Sequence, residues 1–306
     1  MFRAGWRRLA WTVVWLGLTG AGAAGAAEKT EEAVRLFEAH RHAEARPLLE
    51  AAVREDPSDP RAAFYLGRLF LADGDSDRAV EWIEKAVSLD AGRAEYHLWL
   101  ARACGAKALA ASVLKKGPLA RRVKREFERA SALDPDNLEA RFGLIEFYLR
   151  APGVLGGSVP KAREQAAQVG KRDPLQGHRA AGRIAEYEKR FDAALEEYSA
   201  AVREFPGETE PIYWLGSFFE RRGDLASAFD TYEKLLEREP EEIADCYRIG
   251  KVAASSGDRL ERGVECLKRY LSRTPGPDEP SLRAGAGSAP SGAPAGGSAK
   301  GPRPPA

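Results

Sequence analysis

Few residues in this 306-residue chain have the types and spacing that chemistry requires. His40 and His42 stand two apart, close enough to touch one metal ion, but no cysteine or carboxylate set accompanies them, and a solvated turn is the expected reading. His97 and His178 lie far apart, near the starts of helical segments. Nothing resembles H-E-x-x-H, a nucleophile elbow or a phosphate-binding loop with its lysine. The three cysteines, Cys104, Cys246 and Cys266, are an odd number, which leaves at least one unpaired within the chain in an oxidising compartment. Cys104 reads as a small buried hydrophobe. Cys246 and Cys266 could pair only with their Cβ atoms about 3.5–4.5 Å apart. Gly156-Gly157-Ser158 opens a helix, where a glycine pair could cradle an anion; it follows a helix and lacks a lysine, so a lengthened turn is expected. The run Lys115, Lys116, Arg121, Arg122, Lys124 and Arg125 is either a solubilising tip or a dock for an acidic partner or anionic lipid head groups. These residues give no catalytic set, no cofactor site and no metal site.

The elements that would position any site are clearest from Pro211 to Pro240. Two apolar-periodic segments of helical length meet at Gly223-Asp224. Ile212, Leu215, Gly216 and Phe219 share one stripe, and Ala228, Tyr232 and Leu235 share the next. Gly223 can end the first helix in the left-handed conformation, and Asp224 can cap the second. One such hairpin cannot bury both stripes, so it needs neighbours.

The neighbours recur along the chain. A small residue, a second small residue twelve on, and a large one four further appear at Gly67-Ala79-Ile83, Gly182-Ala194-Tyr198 and Gly216-Ala228-Tyr232. Closing positions fall at 57, 91, 135, 174, 206, 240 and 275, so successive steps are 34, 44, 39, 32, 34 and 35. A period near 34 with Tyr65-Leu66-Gly67, Phe70 and Ala79, or Trp214-Leu215-Gly216, Phe219, Ala228 and Tyr232, resembles the tetratricopeptide-repeat family over residues 28–275, as seven units. The third unit (His97, Leu100, Ala101, Cys104, then Val123, Phe127, Ala130) carries about ten extra residues, and the fourth (Leu144, Tyr148, Ala162) about five. In the third, Ala106–Leu114 should extend a helix, with Gly117-Pro118 as its stop and the next start. Both helices of that hairpin should project by a turn or more. With no alternating strand pattern of useful length, the folded part is all-α. The resemblance implies a right-handed α-solenoid of antiparallel hairpins.

The resemblance also implies where a partner would lie. First helices line a groove that holds extended peptides or helices, through positions three before and one after each small residue. Carried over by position, these are Phe64 and Arg68, Leu98 and Arg102, Phe142 and Glu146, Arg179 and Arg183, Tyr213 and Ser217, and Tyr247 and Lys251. Arg61 and Glu95 flank the same surface. An apolar or aromatic residue with a cation one turn later suits an elongated protein or peptide with apolar side chains and some acidic groups. Ordinary groove residues with no single ligand are the alternative.

Composition limits the rest. The chain is 44% hydrophobic and 30% charged with a net charge of +1, which allows a sizeable core and gives no global bias toward nucleic acid or anionic membrane. Residues 1–27 have the layout of a secretory signal peptide: Arg3, Arg7 and Arg8, then the apolar Leu9–Leu18, then Ala24-Gly25-Ala26. The alternative is an uncleaved inner-membrane anchor, the chain's one expected membrane contact. The mature chain is expected in a bacterial periplasm or secreted. Residues 276–306, rich in Gly, Pro, Ala and Ser, cannot bury enough apolar surface to order themselves. The expectation is an exported, non-catalytic adaptor. Against it stand an accessory or atypical enzyme of envelope polymers using the 153–158 loop, and a membrane-tethered structural protein.

Overall fold

The computed structural model describes residues 12–241 and 243–272, with side chains from residue 24 onward save that of Val113. The start of the expected leader (1–11), Pro275 and the 276–306 tail lie outside the described residues. Within them the chain is all-α, with fourteen helices paired as seven antiparallel hairpins in the expected order. These are α1 (Thr12–Glu38) with α2 (His42–Glu55), α3 (Pro60–Ala72) with α4 (Ser76–Leu89), and α5 (Ala94–Ala110) with α6 (Val113–Leu133). Then come α7 (Leu138–Arg150) with α8 (Val159–Arg172), α9 (Pro174–Tyr187) with α10 (Phe191–Glu204), α11 (Glu210–Arg222) with α12 (Leu225–Arg238), and α13 (Ala244–Ser256) with α14 (Leu260–Leu271). The residues form two compact units, one ending at Trp214 and the other starting at Leu215. Within the first, five hairpins pack in chain order, as in an α-solenoid.

The turn inside a hairpin repeats as faithfully as the helices. In five hairpins a residue with positive φ ends the first helix, Gly257 (71°) in the last and, with one shared bonding pattern, His40 (57°), Gly74 (81°), Lys189 (59°) and Gly223 (76°). The amide after each of these four bonds back to the carbonyl five residues earlier, Arg41 to Leu36, Asp75 to Phe70, Arg190 to Ala185 and Asp224 to Phe219, at 2.8–3.0 Å. His40 is thus a turn residue, and His42 stacks on Phe37 at 4.8 Å. Asp59, Asp75, Asn137, Asp173 and Asp224 cap the helices that follow them, accepting backbone N–H bonds through their side chains.

Each hairpin is closed where its small residue lets the second helix in. A Cβ placed on Gly67 would stand 2.5 Å from Ile83 Cγ1, one on Gly182 2.6 Å from Tyr198, and one on Gly216 2.7 Å from Tyr232. Ala79, Ala194 and Ala228 are fully buried beside them. The apolar core of the first unit forms two clusters that meet on α5. Tyr96, Leu100 and Cys104 face back toward hairpins one and two. Leu98 and Ala101 face forward to Phe127, Leu144 and Ile145.

Three expectations need correction. The third hairpin does project, with 17 and 21 residues in α5 and α6 against 13 and 14 in α3 and α4, but it turns at Ala111-Ser112. Gly117 and Pro118 lie inside α6. Ala111 and Ser112 are both extended, and the Ser112 carbonyl accepts the Lys115 and Lys116 amides, so Pro118 falls in the second turn and forfeits a single ladder bond. On α11, Phe218 rather than Phe219 is the fully buried ring. At the other end, packing begins before residue 28. Helix α1 runs unbroken from Thr12, Ala26 is buried, and the Thr30 hydroxyl reaches the Ala26 carbonyl and Asp59.

The close approach at Gly216 gives a test. Gly216→Leu must push Tyr232 aside and should cost about 1–3 kcal/mol. Chemical denaturation followed by circular dichroism reads this as an earlier midpoint, and an unchanged midpoint would contradict the packing.

Candidate partner face

The first helices of successive hairpins touch, α1 with α3, α3 with α5 and α7 with α9. Side chains just outside the small residues therefore meet those of the next first helix. Phe64 and Leu98, which the resemblance placed in the groove, point into that seam and are buried. Phe64 packs on Tyr96 at 4.6 Å, and Leu98 joins the core with Phe127 and Leu144, so neither is on offer to a partner.

The groove cations are largely engaged with the protein itself. Arg61 on α3 pairs with Glu31 on α1, and Arg68 lies 3.8 Å from Glu95 on α5. Arg102 on α5 bonds Glu139 on α7 at 2.9 Å. Arg183 on α9 bonds Glu146 on α7 at 2.8 Å, and Arg150 shares that carboxylate. Burial works against the charge on Glu146, yet the two arginines together hold its carboxyl below the usual range. In the second unit Lys251 reaches Glu220 at 2.5 Å, and Tyr247 lies 5.4 Å from Tyr270. The acidic halves of these pairs were missed by sequence reasoning, although a signal existed. Glu95 and Glu139 each stand six before their unit's small position, as Arg61 does, while Arg68 and Arg102 each stand one after theirs. One period's cation meets the next period's carboxylate.

Three of the groove arginines lie over rings, Arg102 at 4.7 Å from Trp99 being the simplest case. The Arg68 guanidinium sits 4.2 Å from the Trp99 ring centre, 4.6 Å from Phe37, 5.3 Å from Tyr65 and 5.5 Å from Phe64. Its side chain is 19% exposed, and its Nε has no hydrogen-bond partner. Burial lowers its pKa, against the pull of Glu95, so the rings compensate for lost water. Arg68 thus staples three hairpins together. Arg179 is the exception among the groove cations. It lies 4.8 Å from Phe142 on α7 and 5.4 Å from Trp214 on α11, and its one hydrogen bond is to Gln176 Oε1. Among the described residues no carboxylate occupies its guanidinium. Tyr213, 39% exposed, precedes Trp214 on the same helix.

A tetratricopeptide-repeat profile matches residues 30–94, 155–209 and 179–243, together half of the chain. The chain belongs to the tetratricopeptide-repeat family. Its structure is similar to a tetratricopeptide repeat protein from Parabacteroides merdae (TM-score 0.55, 15% identity, 81% of this chain and 93% of that one). It is also similar to a thermophilic one from Thermus thermophilus (0.50, 20%, 63% and 98%). A monomeric mutant of IFIT1 with Gppp-AAAA aligns over 80% of this chain and 54% of its own, at 19% identity and a TM-score of 0.50. These likenesses show the fold alone. No curated protein matches the sequence.

Elsewhere in this repeat protein the chemistry-bearing residues have structural roles. Cys104, Cys246 and Cys266 are buried free thiols. Burial pushes Cys104 up to about 11; burial and the neighbouring Cys246 push Cys266 up to about 12, so both stay protonated at neutral pH. Ser158 caps α8 through the Lys161 amide, and residues 153–155 form a single 3-10 turn. Among the described residues no three metal-binding side chains gather. A cleft of about 480 Å³ opens between α8, α9 and α10 over Ala166, Gly170, Gly177 and Ala181. His178 lies at its edge, its Nδ1 2.9 Å from Glu197 and its Nε2 3.3 Å from Glu204. Burial opposes the charge on His178, but the two carboxylates outweigh it and raise its pKa.

Two outcomes follow. Arg68→Ala removes a ring-packed cation and should lower stability by about 2 kcal/mol without changing the fold. An unshifted unfolding midpoint would deny the staple. Because the folded pKa of His178 is raised, its stabilising contribution is complete below the ordinary value near 6.5 and is lost as pH rises through the folded value above it. Urea titrations should therefore show wild type losing more stability than His178→Asn as pH rises above about 6.5. Parallel pH profiles would refute the clamp.

Proposed function

We propose that this chain is a non-catalytic scaffold that holds an elongated protein segment along its first helices, centred on α7, α9 and the start of α11. The observation that carries this reading is Arg179, a guanidinium set between Phe142 and Trp214 with its fork unclaimed by any carboxylate among the described residues. A partner there would place an apolar side chain against Phe142 and Tyr213 and a carboxylate on Arg179. The self-paired cations fit a partner of mixed charge rather than a uniformly acidic one. Exposed pairs such as Arg102–Glu139, with side chains 35% and 64% exposed, are worth about 0–1 kcal/mol and can open to a partner carboxylate. The family's general use as interaction scaffolds supports the reading.

The layout of residues 1–27 supports export to a bacterial periplasm, with an adaptor role in envelope assembly; retention of that segment as an inner-membrane anchor is the competing outcome. Among the described residues no helix is long and apolar enough to cross a membrane. Intact mass of the exported protein distinguishes a chain lacking about 27 residues from the full one.

Arg102→Glu with Arg179→Glu should lower partner capture from an envelope extract at least about tenfold while helicity stays as in wild type, since arginines are enriched among the interface residues whose loss costs about 2 kcal/mol or more. Undiminished capture would remove this face from the function. Turnover of an envelope polymer by the purified protein alone would overturn the non-catalytic reading.

A further inference from the structure

We infer that the projecting end of the third hairpin, with the 3-10 turn beside it, docks on an anionic lipid surface. Leu109, Leu114 and Val154 are 85%, 90% and 92% exposed, whereas the other exposed large hydrophobic residues range from 36% to 50%. All three belong to elements at this end of the hairpin. Leu109 and Leu114 flank the Ala111-Ser112 turn, and α6 touches the turn that carries Val154, with Leu155 Cδ2 3.7 Å from the position of a Cβ on Gly117.

The segment that carries the tip is basic. From Gly105 to Arg125 the chain has seven cations, Lys107, Lys115, Lys116, Arg121, Arg122, Lys124 and Arg125, and no carboxylate. Four of these are paired, Lys107 with Asp77, Arg122 with Glu84, Lys124 with Glu128 and Arg125 with Glu126. Lys115 and Lys116 are exposed beside Leu114 and have no ion pair among the described residues. Highly exposed aliphatic side chains next to unpaired lysines suit a bilayer, whose acyl chains take the one and anionic head groups the other. A soluble acidic protein would use the lysines but leave the three aliphatic groups in water, because this is a protrusion and not a groove. The inference is independent of the partner face on α7, α9 and α11.

The test uses the full chain and vesicles of phosphatidylcholine with or without phosphatidylglycerol. The protein should sediment with the anionic vesicles, and salt should weaken the binding. Because residues 1–27 could also bind lipid, the decisive comparison is between variants that all keep them. Lys115→Gln with Lys116→Gln should lower partitioning into anionic vesicles by about twenty-fivefold, each lysine contributing about fivefold. Leu109→Ser, Leu114→Ser and Val154→Ser together should abolish any difference attributable to the tip while leaving the circular dichroism unchanged. Leu114→Cys carrying a polarity-sensitive dye should shift to the blue on anionic vesicles and not on soluble poly-glutamate; the three native thiols are buried. Wild-type partitioning in both the lysine and the aliphatic variants would overturn the inference. So would an equal dye response to poly-glutamate, which would make the tip an acidic-protein dock.

Discussion

The absence of a Cβ on one helix decides how near the next can come, and the rest of the fold follows from that distance. At Gly67, Gly182 and Gly216 the space a methyl group would fill is taken by Ile83, Tyr198 and Tyr232. Packed interiors have almost no slack, so even an alanine there must displace a ring or a branched chain. With the two helices drawn together, each hairpin presents apolar flanks on both sides, and burying them requires another hairpin on each. The same device recurs between hairpins. Phe127 of α6 lies against Gly143 of α7, and Gly177 comes against Gly170 where α8 passes into α9.

That spacing fixes the electrostatics of the first-helix face. Because first helices sit side by side, a cation one residue after the small position of one helix comes beside a carboxylate six before that of the next. Arg68 with Glu95 and Arg102 with Glu139 obey this relation. A row of arginines that reads from sequence as an invitation to acidic ligands is therefore neutralised in large part by its own neighbours. Exposed pairs of this kind add little stability. On the proposed reading they raise the penalty for a partner of uniform charge, of either sign, and leave Arg179 as the distinctive donor.

Most of the fold was legible because it is periodic. The small-small-large spacing, the turn residue between helices and the capping aspartates each depend on local chemistry that the sequence displays directly. The misreadings share one cause. Phe64 and Leu98 satisfy a pattern for groove residues, but whether such a position faces outward depends on the residue opposite, Tyr96 for the one and Leu144 for the other, and that is a tertiary fact. Gly117-Pro118 looked like a stop because proline usually is one. Two extended residues upstream had already turned the chain, so the proline fell in the second turn of α6, where it costs one ladder bond and does not end the helix. The Arg68 cage was hidden for the same reason, since its four rings come from three helices. Only the pairing of cations to carboxylates could have been found, by aligning charges as well as apolar residues on the period.

Periodicity also explains where charge goes unbalanced. Within the regular repeats each helix has a neighbour of nearly equal length, so a basic side chain finds a carboxylate on the adjoining helix at the register the repeat dictates. The insertion in the third unit lengthens α5 and α6 beyond α3 and α4; Lys107 in the last turn of α5 still reaches Asp77 of α4, but Lys115 and Lys116 at the start of α6 meet no carboxylate among the described residues. The pairs resume where α6 re-enters the stack, at Arg122 with Glu84 of α4 and Lys124 with Glu128. Farther out, Lys115 and Lys116 stand beside bare Leu114. That combination adds nothing to stability, because aliphatic groups left in water gain no burial on folding and the two neighbouring lysines repel each other. A surface that takes up the aliphatic groups and the charge together would account for both.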